Sequence, residues 1–103
     1  MEPVAKTRTI EVGEAGVVVS ASGPLDLAAA AMLRAALARV AGHSVILDLL
    51  AAWIVDRTVV DVVATAAESS DLTVVADPNV LRLFGDVEAR FETSLADAVA
   101  PAV

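Results

Sequence analysis

SVILDLLAAWIVDRTVVDVVATAA, residues 44–67, is the stretch that decides the fold of this chain. It holds an apolar β-branched run, an acidic turn and a second apolar run that drifts into alanine. We interpret it as a strand, a turn and a helix. The strand is predicted over residues 45–49, because a short apolar run bounded by turn residues is typical of a strand covered by helices. The helix is predicted over residues 57–68.

The valines of this predicted helix favour a strand by propensity. Two features favour a helix instead. Asp56 is a good N-cap residue, and Val59, Val62 and Val63 recur at helical spacing on one face. The turn at residues 56–59 is predicted to be functional, because exposed polar side chains at a helix N-terminus can act on partners while the flanking apolar runs can only pack.

Two strands and a helix are predicted before this stretch. Alternation over residues 7–12 and a β-branched run over residues 17–22 predict a hairpin, which Gly23-Pro24 is expected to end. The helix begins after Asp26, and Gly42 is its expected C-terminal cap. Its predicted buried stripe is Leu33, Ala36, Leu37 and Val40.

Further elements are predicted after residue 67. Residues 72–76 are expected to form another buried strand, and Asp77-Pro78 opens a helix that Gly85 ends. An edge strand is expected within residues 88–92, and a capping sequence at Ser94 starts a last helix.

This order predicts one α/β domain over residues 1–103, with an N-terminal β-hairpin followed by alternating β-α units. Such alternation implies a mixed, largely parallel sheet of four to five strands with helices packed on it. Loops after the C-terminal ends of parallel strands form the functional edge. Asp26, Asp56 and Asp77 all fall at strand-to-helix turns on that edge.

The composition of the chain limits the kinds of partner that it can bind and the place where it can act. The formal net charge of -7, from 14 acidic and 7 basic residues, repels nucleic acid and anionic lipid, so a protein or a small ligand is the expected partner. We expect no membrane insertion, because no apolar stretch approaches the roughly 20 residues of a membrane span. The absence of cysteine and of a signal peptide pattern favours a cytoplasmic protein.

Single polar and aromatic residues have simple structural interpretations. Asp48 is expected to end its strand and bond to neighbouring backbone, and His43 to lie in a surface loop. Trp53 is predicted to be a core residue. Asp26 is either a simple N-cap or a partner contact. With no histidine or cysteine pair and no phosphate-binding glycine loop, we predict no enzyme activity, no cofactor and no metal site.

Three motifs resemble those of the STAS domain, the fold of the anti-sigma factor antagonists. Residues 23–27, Gly-Pro-Leu-Asp-Leu, are similar to the family's G-x-L-D turn into its first helix. Residues 45–49 are similar to its strand that ends in Asp and a small apolar residue, and residues 53–56 to the approach to its D-S-x-G turn. The resemblance extends over residues 17–100.

The resemblance implies a regulatory switch whose acceptor residue is missing here. In the family, a partner that is both kinase and anti-sigma factor phosphorylates the serine after the turn aspartate, and the unphosphorylated form binds that partner. Arg57 stands at the serine position and Val59 at the glycine position. Thr58 is a possible phosphoacceptor, although capping the helix is the simpler role for its hydroxyl. Asp26 and Asp56 are candidates to pair with Arg57.

The leading hypothesis is a STAS-like bacterial regulator that binds an anti-sigma factor or a kinase-like regulator through Asp26, Asp56, Arg57 and Thr58, without phosphorylation at position 57. We expect a monomer or weak homodimer. One alternative is a STAS-like cytoplasmic accessory subunit of a lipid or anion transporter. Another is a sensor that holds a small ligand under its helices.

Overall fold

The computed structural model describes residues 5–11 and 16–99, and they form a five-stranded sheet with helices on both faces. The strand order is β1-β2-β3-β4-β5. β1 is antiparallel to β2, and the remaining strands are parallel. This arrangement confirms the predicted mixed, largely parallel sheet. The strands are β1 (Lys6–Glu11), β2 (Val17–Leu25), β3 (Ser44–Ile54), β4 (Asp71–Val75) and β5 (Arg90–Glu92).

Four α-helices are present in the described part of the chain, and none is long and apolar enough to cross a membrane. α3 continues into a 3-10 helix, Arg82–Phe84, which ends at Gly85 as predicted. The C-cap of α1 is Val40, so the prediction of Gly42 as the cap is wrong; Gly42 lies two residues later and donates its N–H to the carbonyl of Ser69. The helices are α1 (Leu27–Arg39), α2 (Thr58–Ser69), α3 (Pro78–Leu81) and α4 (Leu95–Val99).

The main core lies between one face of the sheet and helices α1 and α2. Val19 and Leu47 contribute from the sheet, Leu33 from α1 and Val63 from α2, and all four are fully buried. These are small aliphatic side chains, as the near absence of aromatic residues predicts. A second, smaller cluster on the opposite face joins α4 to the sheet through Val18, Ile46, Val75 and Ala98.

α2 is a helix although its N-terminal half is rich in valine. Val59, Val62 and Val63 are buried on one face, as predicted from their spacing. Burial of that apolar stripe against α1 and the sheet outweighs propensities that differ by only a few tenths of a kcal/mol per residue.

β3 contains a bulge that changes which side chains face the core. Its register with β2 moves from Ser20↔Asp48 to Ser22↔Ala51, so two residues of β3 stand opposite the single residue Ala21. Before the bulge the core-facing residues are odd-numbered, and after it Ala52 is in the core cluster. A bulge in β3 therefore reverses the alternation in the last part of the strand.

Three predictions about the ends of β2 and β3 are wrong. β3 continues to Ile54 and does not end near Asp48, because the extra residue lets the strand go on pairing with β2. Trp53 is 49% exposed and is not a core residue. β2 likewise continues through Gly23 and Pro24 to Leu25, paired with the same end of β3. Among the described strands β3 is the only neighbour of β2 there, so a proline without an N–H is tolerated.

Candidate functional site

The turns that follow β2 and β3 are held together by one backbone carbonyl. The carbonyl oxygen of Leu25 accepts hydrogen bonds from the N–H groups of Val55 and Asp56, at 3.0 and 3.1 Å. Leu25 itself is buried, so its position is fixed by the core. These bonds bring Asp26 and Asp56, which are far apart in sequence, to neighbouring positions on the predicted functional edge.

Asp26 begins α1. Its Oδ1 accepts a hydrogen bond of 2.9 Å from the N–H of Ala29, which is the geometry of an N-cap. The preceding Gly23 has φ +84°, a left-handed conformation that side chains other than glycine rarely adopt. Asp26 remains exposed, so its second carboxylate oxygen can contact a partner while the first caps the helix.

Asp56 organises the turn before α2. Its Oδ1 accepts a hydrogen bond of 2.8 Å from the N–H of Thr58, the first residue of the helix. Two hydrogen bonds from Thr58 hold the pKa of the Asp56 carboxyl below its ordinary value of 3.8, because both favour the ionised form. The bond from the Thr58 hydroxyl has the larger effect, and the bond from the N–H has the smaller one. The cap position itself is Arg57, which makes no side-chain cap bond, so Asp56 lies one residue before the cap.

Arg57 projects from this turn as an exposed residue. Within residues 5–11 and 16–99 no ion pair joins it to Asp26 or Asp56, so the pairing considered from the sequence is not formed. Its guanidinium therefore lies at the positive end of the α2 dipole without a neutralising carboxylate. A side chain in that position is available to an acidic group from outside the chain.

Three exposed apolar side chains flank these polar residues. Leu27 is 63% exposed, Val55 60% and Trp53 49%. Leu27 follows Asp26, and Val55 precedes Asp56. None of the three was predicted from the sequence to be a surface residue. For Leu27 a signal exists, because a residue at the first position of a helix, directly after its cap, is often exposed. We call the combined surface of these three and the four predicted site residues the two-turn surface: Asp26, Leu27, Trp53, Val55, Asp56, Arg57 and Thr58.

The third aspartate of this edge has a local role. Asp77 follows β4, and its Oδ1 accepts a 2.8 Å hydrogen bond from the N–H of Asn79 at the start of α3. In the described part of the chain, no group of three acidic, histidine or cysteine residues could hold a metal ion. His43 is exposed between α1 and β3. The two-turn surface thus offers carboxylates, one guanidinium and exposed apolar side chains.

Comparison with solved structures identifies the fold. An anti-sigma factor antagonist from Mycobacterium paratuberculosis matches with a TM-score of 0.80 and 24% sequence identity, over 93% of this chain and 92% of that one. The chain has the STAS fold. The anti-sigma factor antagonist SpoIIAA in its unphosphorylated form also matches, with a TM-score of 0.69 and 16% identity, over 89% of this chain and 92% of that one. No protein-family model and no curated protein sequence matches.

The STAS fold agrees with the motifs seen in the sequence. The G-x-L-D motif spans the end of β2 and the N-cap of α1. Residues 53–56, which resemble the approach to the D-S-x-G turn, lead from β3 towards α2. The two motifs meet at the Leu25 carbonyl.

Proposed function

We propose that this protein is a regulatory protein-binding module that acts as an anti-sigma factor antagonist. It binds an anti-sigma factor or a kinase-like regulator through the two-turn surface. The observation that supports the proposal is the joining, in the STAS fold, of the turn that holds Asp26 to the turn that holds Asp56 by the Leu25 carbonyl.

The exposed apolar residues support a protein as the partner. Leu27, Val55 and Trp53 are exposed at or next to the two turns, and tryptophan and other apolar side chains are typical of the centre of a protein interface. The net charge of -7 argues against nucleic acid as the partner. We propose that the protein acts in the bacterial cytoplasm as a monomer or weak homodimer, with no enzyme activity and no cofactor.

We further propose that binding is not controlled by phosphorylation at position 57. Arginine has no hydroxyl to accept a phosphoryl group, and it replaces a potential charge of about -1.5 to -2 with a permanent positive charge. Binding is then constitutive or is controlled by another input. Thr58 is the remaining hydroxyl in the turn, and Asp56 already engages it in the local structure.

Two measurements test the proposal. The purified chain is titrated into the purified anti-sigma factor of the same source by calorimetry, and displacement of the sigma factor is followed by gel filtration. We expect binding and displacement. The same mixture is then incubated with ATP and analysed by mass spectrometry, and we expect no phosphate on residues 56–58.

The Arg57→Ser variant is the matched test of the turn. It restores the hydroxyl at the position where the family carries its acceptor, so we expect it to gain phosphate from a kinase-type partner. If the variant binds its partner as the wild type does and never gains phosphate, the turn is not the docking site. Co-purification with a transporter ATPase subunit instead of an anti-sigma factor would favour the transporter alternative, and a bound small molecule in native mass spectrometry would favour the ligand sensor.

A further inference from the structure

A groove runs from the start of α2 to the 3-10 helix, beside the two-turn surface. One side is formed by Arg57 with Val60 on α2 and Ile54 at the end of β3, and the other by Arg82, Leu83, Gly85 and Asp86. Phe84, in the middle of the 3-10 helix, is fully buried and anchors that side to the core. Both walls are therefore built on elements fixed by packing.

The groove is positively charged on a negatively charged protein. It is lined by two of the seven basic residues of the chain, and Asp86 is its one acidic lining residue. Neither Arg57 nor Arg82 takes part in an ion pair in the described part of the chain. The N-terminal end of the α2 dipole adds to the positive potential. An acidic protein is repelled by the chain as a whole but attracted to this groove.

The groove is also lined by apolar side chains, which a small anion bound to the arginines would not contact. Leu83 is 51% exposed, and Ile54 and Val60 are half-buried. Arginine offers paired N–H donors to carboxylates, while a neighbouring exposed leucine offers a surface for an aliphatic side chain. This combination fits a peptide segment with both acidic and apolar residues.

We propose that this groove binds an acidic segment of the partner protein, whose carboxylates pair with Arg57 and Arg82 and whose apolar side chain packs on Leu83. The inference rests on the proposed function, because the segment belongs to the regulator that docks on the two-turn surface. Arg57 belongs to both regions, so the residue that replaces the family's serine becomes a contact for a negative group of the partner.

The experiment uses the full chain labelled with ¹⁵N and a synthetic peptide of about 12 residues that alternates glutamate and leucine. Its analogue with glutamine in place of glutamate is the matched probe. We expect saturable shifts of the amide signals of residues 54–60 and 82–86, and binding that weakens as salt is raised. The glutamine analogue is expected to bind about tenfold more weakly, because its side chains lack the charge that pairs with arginine.

Charge reversal tests the two arginines directly. The double variant Arg57→Glu, Arg82→Glu is compared with Arg34→Glu, Arg39→Glu, which changes the net charge equally at exposed positions of α1. We expect about a tenfold loss of affinity in the first and less than a twofold loss in the second. The double variant to glutamine provides the same comparison if the glutamate variant fails to fold.

Four results would overturn the inference. The first two are an equal loss of peptide affinity in the two double variants, and equal affinity of the glutamate peptide and its glutamine analogue. The third is saturation of the same amide shifts by inorganic phosphate at a lower concentration than the peptide needs. The fourth is the absence of any saturable shift up to about 5 mM peptide. The peptide experiment needs no anti-sigma factor. If the peptide does not bind, only the groove proposal is contradicted, and the proposed function is still tested by the calorimetric titration. If that titration shows no binding, the proposed function is contradicted, and the peptide result still stands.

Discussion

The carboxylate of Asp48 accepts a 3.0 Å hydrogen bond from the backbone N–H of Leu50, two residues further along β3. The bond spans the bulge in this strand, where an N–H is displaced from its ladder partner. The other carboxylate oxygen accepts a 3.4 Å hydrogen bond from the hydroxyl of Ser20 on β2. Asp48 thus supports the irregularity that turns Trp53 towards solvent.

Removal of this carboxylate should destabilise the protein. We expect Asp48→Ala to lower the free energy of unfolding by about 1 kcal/mol, because the N–H of Leu50 loses its acceptor. Asp48→Asn keeps a carbonyl oxygen at the same place and should retain most of that stability. Urea denaturation measures both variants, and equal losses in the two would show that the Leu50 bond is not the cause.

Trp53 should behave as a surface residue. It is the only tryptophan in the chain, so its fluorescence is specific, and acrylamide should quench it readily in the folded protein. Trp53→Ala should cost about 1–2 kcal/mol of unfolding free energy, because only about half of the side chain is buried. Phe84→Ala, at a fully buried position, should cost about 3–5 kcal/mol. A Trp53 variant as unstable as the Phe84 variant would contradict the outward orientation.

The two roles open to Asp26 can be separated with one pair of variants. Asp26→Ala removes the cap of α1 and should cost about 1 kcal/mol of stability, whereas Asp26→Ser keeps a capping oxygen and should stay within about 0.5 kcal/mol of the wild type. Both variants remove the charge. If Asp26 also contacts the partner, calorimetry will show weaker binding for the serine variant despite its stability; unchanged binding would limit Asp26 to capping.

The acidity of Asp56 should depend on Thr58. NMR titration of the carboxyl carbon should give Asp56 a pKa below 3.8, and Thr58→Val should raise that pKa towards 3.8, since the hydroxyl is removed while the N–H remains. A lowered folded-state pKa means that Asp56 contributes stability above about pH 3.8, and that this contribution is lost as the pH falls through the folded-state pKa. An unchanged Asp56 pKa in the valine variant would show that the Thr58 hydroxyl does not lower it.

The order of helices and strands was predicted from the sequence more completely than the set of exposed side chains. Periodicity and capping residues gave the order of the elements, including α2, where Val59, Val62 and Val63 follow the helical period against their propensity. The aspartates after β2, β3 and β4 were correctly placed in strand-to-helix turns at one edge of the sheet. Trp53 was wrongly predicted to be a core residue, because large aromatic side chains are usually buried and no residue type in the strand indicates the bulge.

The sequence by itself determined an α/β chain with acidic turns at one sheet edge and an arginine directly after Asp56, because these features depend on local residue types and spacing. Only the tertiary structure decided that the Leu25 carbonyl joins the two turns, that Trp53 faces outwards and that Arg57 shares a groove with Arg82. These relationships depend on the register between strands and on packing between residues distant in the chain, which no local pattern encodes.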